Sequence, residues 1–150
     1  MITLKEINES NWLQILRLKI AENQKEFVAS PLGILARGYV YRDSRAKVFA
    51  ISKEDTIIGM AMVRDLDEEP VCYELQQLLI DTSFQGKGYG SSSLKEILRL
   101  LKNEGKYPSV EVCVNKKDCA AIHIYEKAGF IDTGYIAEDV PDCYNLRYTF

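Results

Sequence analysis

Residues 85–90, QGKGYG, decide the fold, because they place three glycines between two segments of opposite character. The stretch CYELQQLLID (72–81), separated from them by TSF (82–84), has the composition of a β-strand. The segment after them, SSSLKEILRLL (91–101), has the apolar spacing of an amphipathic helix. A glycine-rich turn at the start of a helix lets backbone N–H groups approach an anion. The stretch therefore predicts either a tight turn or a phosphate-binding loop.

The spacing of the glycines excludes two nucleotide-binding motifs. A P-loop requires GxxxxGK followed by Ser or Thr, whereas here Gly90 is followed directly by Ser91. A dinucleotide-binding fingerprint requires GxGxxG early in the chain and an acidic ribose partner ~20 residues later. This loop reads GxGxG, lies past the middle of the chain, and is followed at that distance by NEGKY (103–107). The loop needs another explanation.

Composition limits the class of protein. A chain of 150 residues, with 47% hydrophobic and 27% charged residues, predicts a single globular domain over residues 1–150. The formal net charge of -3 and the lack of a Lys/Arg stripe argue against a nucleic-acid partner. No apolar run reaches membrane-spanning length and MITLKEINES lacks a signal-peptide pattern, so we expect no membrane partner and a cytoplasmic location. Four scattered cysteines and one histidine, His123, make no zinc pattern, so reduced thiols and no metal are expected.

The segments follow the order βαα-βββ-α-β-α-ββ. Apolar spacing predicts a first helix that continues through Ile20, and Ser30-Pro31 marks the start of the second. Gly105 and Gly129 are placed to end two later helices. This order predicts an α/β or α+β domain with a mixed sheet and with the glycine loop at the carboxyl end of a central strand. The last two predicted strands are FIDTGYIA (130–137) and YNLRYTF (144–150).

The pattern Gln-x-x-Gly-x-Gly at 85–90, preceded by LLID (78–81) and followed by AIHIYEKAGF (121–130), resembles the GNAT superfamily of acyl-CoA-dependent N-acetyltransferases. The resemblance covers nearly the whole chain in the order of its elements. It implies the GNAT fold, which is a mixed, mostly antiparallel sheet of about seven strands flanked by four helices. Strands 4 and 5 of that sheet are expected to splay apart.

The resemblance implies that acetyl-CoA is the cosubstrate. Amides of the glycine loop would hold its pyrophosphate, and backbone groups of the preceding strand would pair with its pantetheine arm and polarise the thioester carbonyl. Many members have asparagine at the position of Asp118, so either Asp118 or Asn115 would supply a further contact. The implied cofactor-binding residues are Leu78, Leu79, Ile80, Gln85, Gly86, Lys87, Gly88, Tyr89, Gly90, Ser91, Asn115 and Asp118.

Two side chains are candidates for the chemistry. Tyr125 matches the tyrosine of the family's Y-E-K-x-G-F motif and would protonate the departing thiolate. Glu74 matches the catalytic glutamate of histone-type members and is the candidate base, acting directly or through water. The alternative that the amine is deprotonated without a dedicated catalytic base stays open, because Gln76 stands where animal polyamine acetyltransferases carry an acidic residue. His123 lies off the apolar face of its helix and is expected to be solvated.

The acceptor is indicated by LRLKIAENQKEFVAS (16–30), which resembles bacterial spermine/spermidine (diamine) acetyltransferases. Glu22 and Glu26, expected on the first helix, and Gln76 would then bind a polyamine, which attacks acetyl-CoA directly in a ternary complex. One alternative is a GNAT enzyme acting on another amine, such as a peptide N-terminus, a protein lysine, an aminoglycoside or an amino acid. The other is a non-catalytic acyl-CoA-binding module. Many members form homodimers, and the sequence leaves this open.

Overall fold

A computed structural model describes residues 1–150 and contains strands, α-helices and short 3₁₀ turns in the predicted order. The 3₁₀ turns are Glu22–Gln24, Arg42–Ser44 and Thr82–Phe84. The helices are α1 (Trp12–Leu16), α2 (Pro31–Val40), α3 (Tyr89–Glu104) and α4 (Cys119–Ala128). The strands are β1 (Ile2–Glu6), β2 (Lys47–Lys53), β3 (Thr56–Leu66), β4 (Cys72–Ile80), β5 (Ser109–Asn115), β6 (Ile131–Asp132) and β7 (Cys143–Thr149).

The strands form one 7-stranded sheet in the order β1-β2-β3-β4-β5-β7-β6. Every neighbouring pair is antiparallel except β4 and β5, which run parallel. These two strands pair only where Tyr73 faces Val110 and Glu74 faces Glu111. Beyond that point they separate. The predicted mixed, mostly antiparallel sheet, splayed between strands 4 and 5, is therefore confirmed.

Apolar side chains pack on both faces of the sheet. A cluster of 17 buried residues includes the predicted face of α3, which is Leu94, Ile97, Leu98 and Leu101. A cluster of 7 buried residues joins the sheet to α1 and α2 on the other face. Along residues 60–63 of β3 successive side chains enter alternate clusters: Met60 and Met62 the smaller, Ala61 and Val63 the larger, as the period of a strand requires. None of the four helices combines the length and apolarity that a membrane crossing needs.

β4 contains a bulge that changes which way its side chains point. Its register against β3 shifts between Met62, which faces Gln77, and Val63, which faces Leu75. Gln76 is therefore an extra residue in β4. Leu75 packs with the α3 cluster, but Leu79 packs with the α1 and α2 cluster, so the alternation of the strand reverses across the bulge. The bulge lies just beyond the point where β4 leaves β5.

The first helix is shorter than predicted. It ends at Leu16, so Ile20 is outside it, Glu22 lies in a 3₁₀ turn and Glu26 in the turn that follows. The prediction that both glutamates lie on the first helix is wrong. The reason is tertiary: the Lys19 N–H donates to Asp81 Oδ2 at 2.8 Å and cannot extend the helical ladder.

The strand predicted over FIDTGYIA is also wrong in length. Only Ile131–Asp132 pairs with β7. Asp132 Oδ1 accepts a 2.9 Å hydrogen bond from the Gly134 N–H, and Gly134 adopts φ of +76°. This local turn competes with the strand ladder and ends it.

A charge network fastens the end of the sheet opposite the glycine loop. Arg45 donates to both oxygens of Asp65, at 2.7 and 2.9 Å, and Lys106 and Tyr107 donate to Oδ2 at 2.9 and 3.0 Å. Burial alone would raise the pKa of Asp65, but the hydrogen bonds from these three partners outweigh it and lower the pKa from 3.8 to about 2. The network joins β3 to the segment that leads into β5.

Replacing Asp65 with Asn is expected to lower the free energy of unfolding at pH 7 by about 2 kcal/mol, which is the linked value of the pKa shift. The pKa is depressed in the folded state, so the carboxylate stabilises the fold above pH ~4 and loses this effect as the pH falls towards 2. Urea unfolding at several pH values measures it. A matched control is Lys25→Gln in an exposed ion pair, with a change under ~0.5 kcal/mol. An equal difference between D65N and wild type at pH 7 and pH 2 would contradict this assignment.

Candidate active site

In the glycine loop, two glycines adopt a left-handed backbone conformation and the third allows two helices to pack closely. Gly86 and Gly88 have φ of +74° and +82°, and an added Cβ at either would meet no atom within 4 Å. Backbone conformation, rather than lack of space, therefore favours glycine at both positions. At Gly90 an added Cβ would lie 3.3 Å from Ile124 Cδ1, so the third glycine lets α3 pack closely on α4.

The start of α3 presents a row of free amides. The N–H groups of residues 86–91 donate to no other group of the chain. Helix α3 has no side-chain N-cap and no acidic residue in its first turn. In contrast, Ser30 caps α2 and Asp118 caps α4 through hydrogen bonds of 3.0 and 3.2 Å. Free amides at the positive end of a 16-residue helix suit a diphosphate.

Two cavities lie along the part of β4 that has separated from β5. The larger, here called the loop cavity, has a volume of about 330 Å³ and runs from the glycine loop along β4. The smaller, the inner cavity, has a volume of about 60 Å³ and lies towards the α2 side of the sheet. Both are lined by Val28, Leu78, Asp118, Ala121 and Tyr125. A long thin ligand in the loop cavity therefore ends against the inner cavity.

Tyr125 lies where the two cavities meet. It projects from α4 and is 9% exposed. Burial, followed by the negative charge of Asp118, raises its pKa well above the ordinary value for tyrosine. The phenol therefore keeps its proton at neutral pH and is suited to donate it, but not to act as a base.

Glu74 stands outside both cavities. Its carboxylate accepts hydrogen bonds from Arg64 at 3.2 and 3.4 Å, and its side chain is 15% exposed. The Arg64 guanidinium also stacks 4.4 Å from the centre of the Tyr41 ring. Gln76 lines the inner cavity, and its Oε1 accepts from Arg37 Nη1 at 3.5 Å. Because Arg64 holds the Glu74 carboxylate outside both cavities, Glu74 can influence the inner cavity through its charge but not by contact.

Comparison with known proteins agrees with this geometry. Residues 10–130 match the acetyltransferase (GNAT) family. The chain belongs to that family. It is therefore an N-acetyltransferase that uses acetyl-CoA, and the predicted resemblance is confirmed. No group of three or more His, Cys, Asp or Glu side chains is arranged to hold a metal ion.

Relatives of this GNAT acetyltransferase act on several amines. Spermine/spermidine N(1)-acetyltransferase of Bacillus subtilis strain 168 is 26% identical over 136 residues, which are 86% of this chain and 87% of that protein. Aminoglycoside acetyltransferase AAC(6')-Ib, solved with coenzyme A, has a TM-score of 0.80, 19% identity, and coverage of 99% of this chain and 95% of that one. Spermidine N-acetyltransferase of Vibrio cholerae, solved with CoA and spermine, has a TM-score of 0.70, 18% identity, and coverage of 97% and 92%. These two structures establish likeness of fold.

The structure places most of the predicted cofactor residues together. Lys87 and Asn115 are the two that do not line the loop cavity: Lys87 Nζ lies 5.8 Å from the centre of the Phe84 ring, and Asn115 lines the inner cavity. Contact of these residues with acetyl-CoA stays a prediction. Those that line the loop cavity are Leu78, Leu79, Ile80, Gln85, Gly86, Gly88, Tyr89, Gly90, Ser91 and Asp118.

The predicted acceptor residues do not come together. The Glu22 carboxylate pairs with Lys25 at 2.6 Å and its side chain is 88% exposed, while Glu26 lies exposed in a turn. Neither glutamate lines either cavity, whereas Gln76 lines the inner one. His123 is exposed on α4, as expected.

Sequence reasoning missed two groups of residues near the site. Gln24, Phe27 and Val28 line the cavities from the segment before α2, which the resemblance of residues 16–30 assigned to the acceptor without naming these three as site residues. The second group lines a cavity of about 460 Å³ between α3 and α4, here called the basic groove, which shares Ser91 and Ile124 with the loop cavity. Three of its cations recur at i, i+4 and i+7 on α3, a spacing that was available as a signal. The four cations of the basic groove are Lys95, Arg99, Lys102 and Lys127.

Proposed function

We propose that this enzyme transfers the acetyl group of acetyl-CoA to a primary amine of a polyamine, such as spermidine or spermine, by direct attack with both substrates bound. The observation that carries the proposal is the meeting of the loop cavity and the inner cavity at Tyr125. One site can hold a thioester, the other an amine, with an acid between them. The similarity to the Bacillus subtilis spermine/spermidine enzyme supports the choice of amine.

The inner cavity suits a cationic, narrow acceptor. Its volume of about 60 Å³ accommodates an alkylamine end more readily than an aminoglycoside ring. One carboxylate, Asp118, lines it, and the charges of Glu74 and Asp139 act on Cys113 in its wall. Each carboxylate near an ammonium contributes ~1–4 kcal/mol of attraction, depending on exposure. A second amine of the polyamine would then be free to bind carboxylates outside the inner cavity.

The chain's own groups would divide the chemistry between them. Free amides of residues 86–91 would hold the diphosphate of acetyl-CoA. Backbone groups of residues 78–80 that face away from β3, on the side that β5 leaves open, would bind its pantetheine arm. Acetyl-CoA supplies an activated thioester when bound. Tyr125 would donate its proton to the departing thiolate. Glu74 would receive the amine proton only through water, because Arg64 holds its carboxylate outside the cavities.

A covalent acetyl-enzyme is disfavoured by the state of Cys113. Cys113 lines the inner cavity and is exposed as a residue, but partial desolvation of its thiol, with Cys143 and Glu74 adding to it, raises the pKa to about 12. At neutral pH the thiolate nucleophile is scarcely populated. The one histidine, His123, is exposed on α4 and absent from the lining of the inner cavity. Direct attack by the amine needs no such activation.

The function is tested by mass spectrometry of amines incubated with the protein and acetyl-CoA. The set includes spermidine, spermine, putrescine, a lysine peptide and an aminoglycoside. We expect acetylated spermidine or spermine to form well ahead of the others. Preferential acetylation of the peptide or the aminoglycoside would overturn the polyamine assignment while leaving the acetyltransferase activity intact. Detection by mass avoids a thiol dye, which would also react with the protein's four free cysteines.

Tyr125→Phe is expected to lower kcat by ~10²–10⁴, the usual contribution of a positioned acid. KM for acetyl-CoA should change little, because the ring and its packing against Phe130 are retained. Steady-state kinetics measure both constants. Tyr135→Phe, at an exposed position, is the matched control and should retain wild-type kcat. Wild-type turnover in Y125F would remove the tyrosine from the mechanism.

The basic groove would extend the cofactor site. It begins at Ser91, next to the free amides, and carries four cations beside the apolar surface of Leu98 and Tyr148. This combination suits a nucleotide with a further phosphate. We place the 3′-phosphoadenosine end of acetyl-CoA here, with Lys95 and Lys127 nearest the shared residues. Arg99 is partly committed, since it pairs with Glu96 at 3.0 Å.

The double variant Lys95→Gln/Lys127→Gln is expected to raise KM for acetyl-CoA by ~2–20-fold at low salt, from two exposed ion pairs. With acetyl-dephospho-CoA, which lacks the 3′-phosphate, the variant and wild type should have similar KM values. Lys5→Gln on β1 is the control for loss of a positive charge elsewhere. Equal effects of the double variant on both thioesters would contradict the placement.

A further inference from the structure

The segment between α1 and α2 makes its long-range hydrogen bonds with β4 and the loop that follows it. At its first end the Lys19 N–H donates to Asp81 Oδ2 at 2.8 Å, and the Thr82 N–H donates to the Lys19 carbonyl at 3.0 Å. At its second end the Ala29 N–H donates to Gln77 Oε1 at 3.2 Å. The segment thus follows the same strand that leads into the glycine loop.

Between these ends, one side-chain contact joins the segment to the glycine loop itself. Gln85 Nε2 donates to Gln24 Oε1 at 3.0 Å and to the Ile80 carbonyl at 2.9 Å. The amide of Gln85 is therefore turned inward, away from the row of free amides that begins at Gly86. The first residue of the motif serves here as a connection between the loop and the facing segment.

Gln24 also holds the residues that form the wall of the inner cavity. Its backbone carbonyl accepts from the N–H groups of Phe27 and Val28, at 2.9 and 3.1 Å. Phe27 lines the inner cavity, and Val28 lines both cavities. One residue thus contacts the glycine loop with its side chain and the acceptor wall with its backbone.

We propose that Gln24 is a positioning residue that couples the two substrate sites. Occupation of the glycine loop by acetyl-CoA fixes Gln85, Gln85 fixes Gln24, and Gln24 fixes Phe27 and Val28 in the shape that receives the amine. The coupling is reciprocal, so the acceptor also strengthens acetyl-CoA binding, by a factor that in proteins is typically ~5–150-fold. The inference rests on the proposed function in taking the glycine loop as the acetyl-CoA site and the inner cavity as the acceptor side.

Hydrogen exchange tests this coupling without any amine. The full-length protein is compared with and without saturating CoA, and the exchange of the Phe27 and Val28 amides is followed by NMR. In the wild type, CoA should slow both amides by at least ~5-fold, the lower end of typical coupling. In Gln24→Ala that slowing should be lost. Gln24→Glu should restore it, because its carboxylate still accepts from Gln85 Nε2.

Gln14→Ala, the same change at an exposed position on α1, is the matched control and should behave as the wild type. CoA must still slow exchange near the start of α3 in Gln24→Ala, which shows that the cofactor remains bound. Undiminished slowing of Phe27 and Val28 in Gln24→Ala would overturn the proposal, as would its absence in the wild type. Neither result depends on which amine is acetylated, so a failed polyamine assignment would be seen separately by mass spectrometry.

Discussion

The separation of β4 from β5 is the constraint on which the site depends. The two strands pair through two residues each, Tyr73 with Val110 and Glu74 with Glu111, and then diverge. Beyond this point the inner edges of both strands carry backbone N–H and C=O groups that no neighbouring strand satisfies. Such groups are costly to bury without a partner. An extended amide-containing chain such as a pantetheine arm would supply the missing partners, and for this reason we propose the opened sheet as the binding site.

The two ends of β4 are held in different ways. At its first end, the Asp65 network joins β3 to the segment before β5, and Arg147 of β7 donates to Glu111 of β5 at 3.2 and 2.5 Å. These contacts keep the strands together where they pair. At the other end, the glycine loop and α3 leave their amides free. Because β4 is held firmly at its first end, its other end can stay separated from β5 while the sheet remains intact.

The sequence predicted the parts of the site that are local. The glycine loop, the apolar face of α3 and the helix of Tyr125 were predictable because short-range spacing determines each of them. The bulge at Gln76 was not predictable, since it arises from register against β3. The early end of α1 was not predictable either, because there the Lys19 N–H donates to Asp81, which is 62 residues away in the sequence. The hydrogen bond between Gln24 and Gln85 likewise joins residues 61 apart, and no local pattern records it.

The central claim is that one opened sheet holds acetyl-CoA and the amine at the same time. Initial rates measured over a grid of acetyl-CoA and spermidine concentrations test it most directly. Direct transfer predicts double-reciprocal lines that intersect, because the acetyl group passes between two bound substrates. Parallel lines, with an acetylated protein isolated in the absence of amine, would show a covalent intermediate and contradict direct transfer.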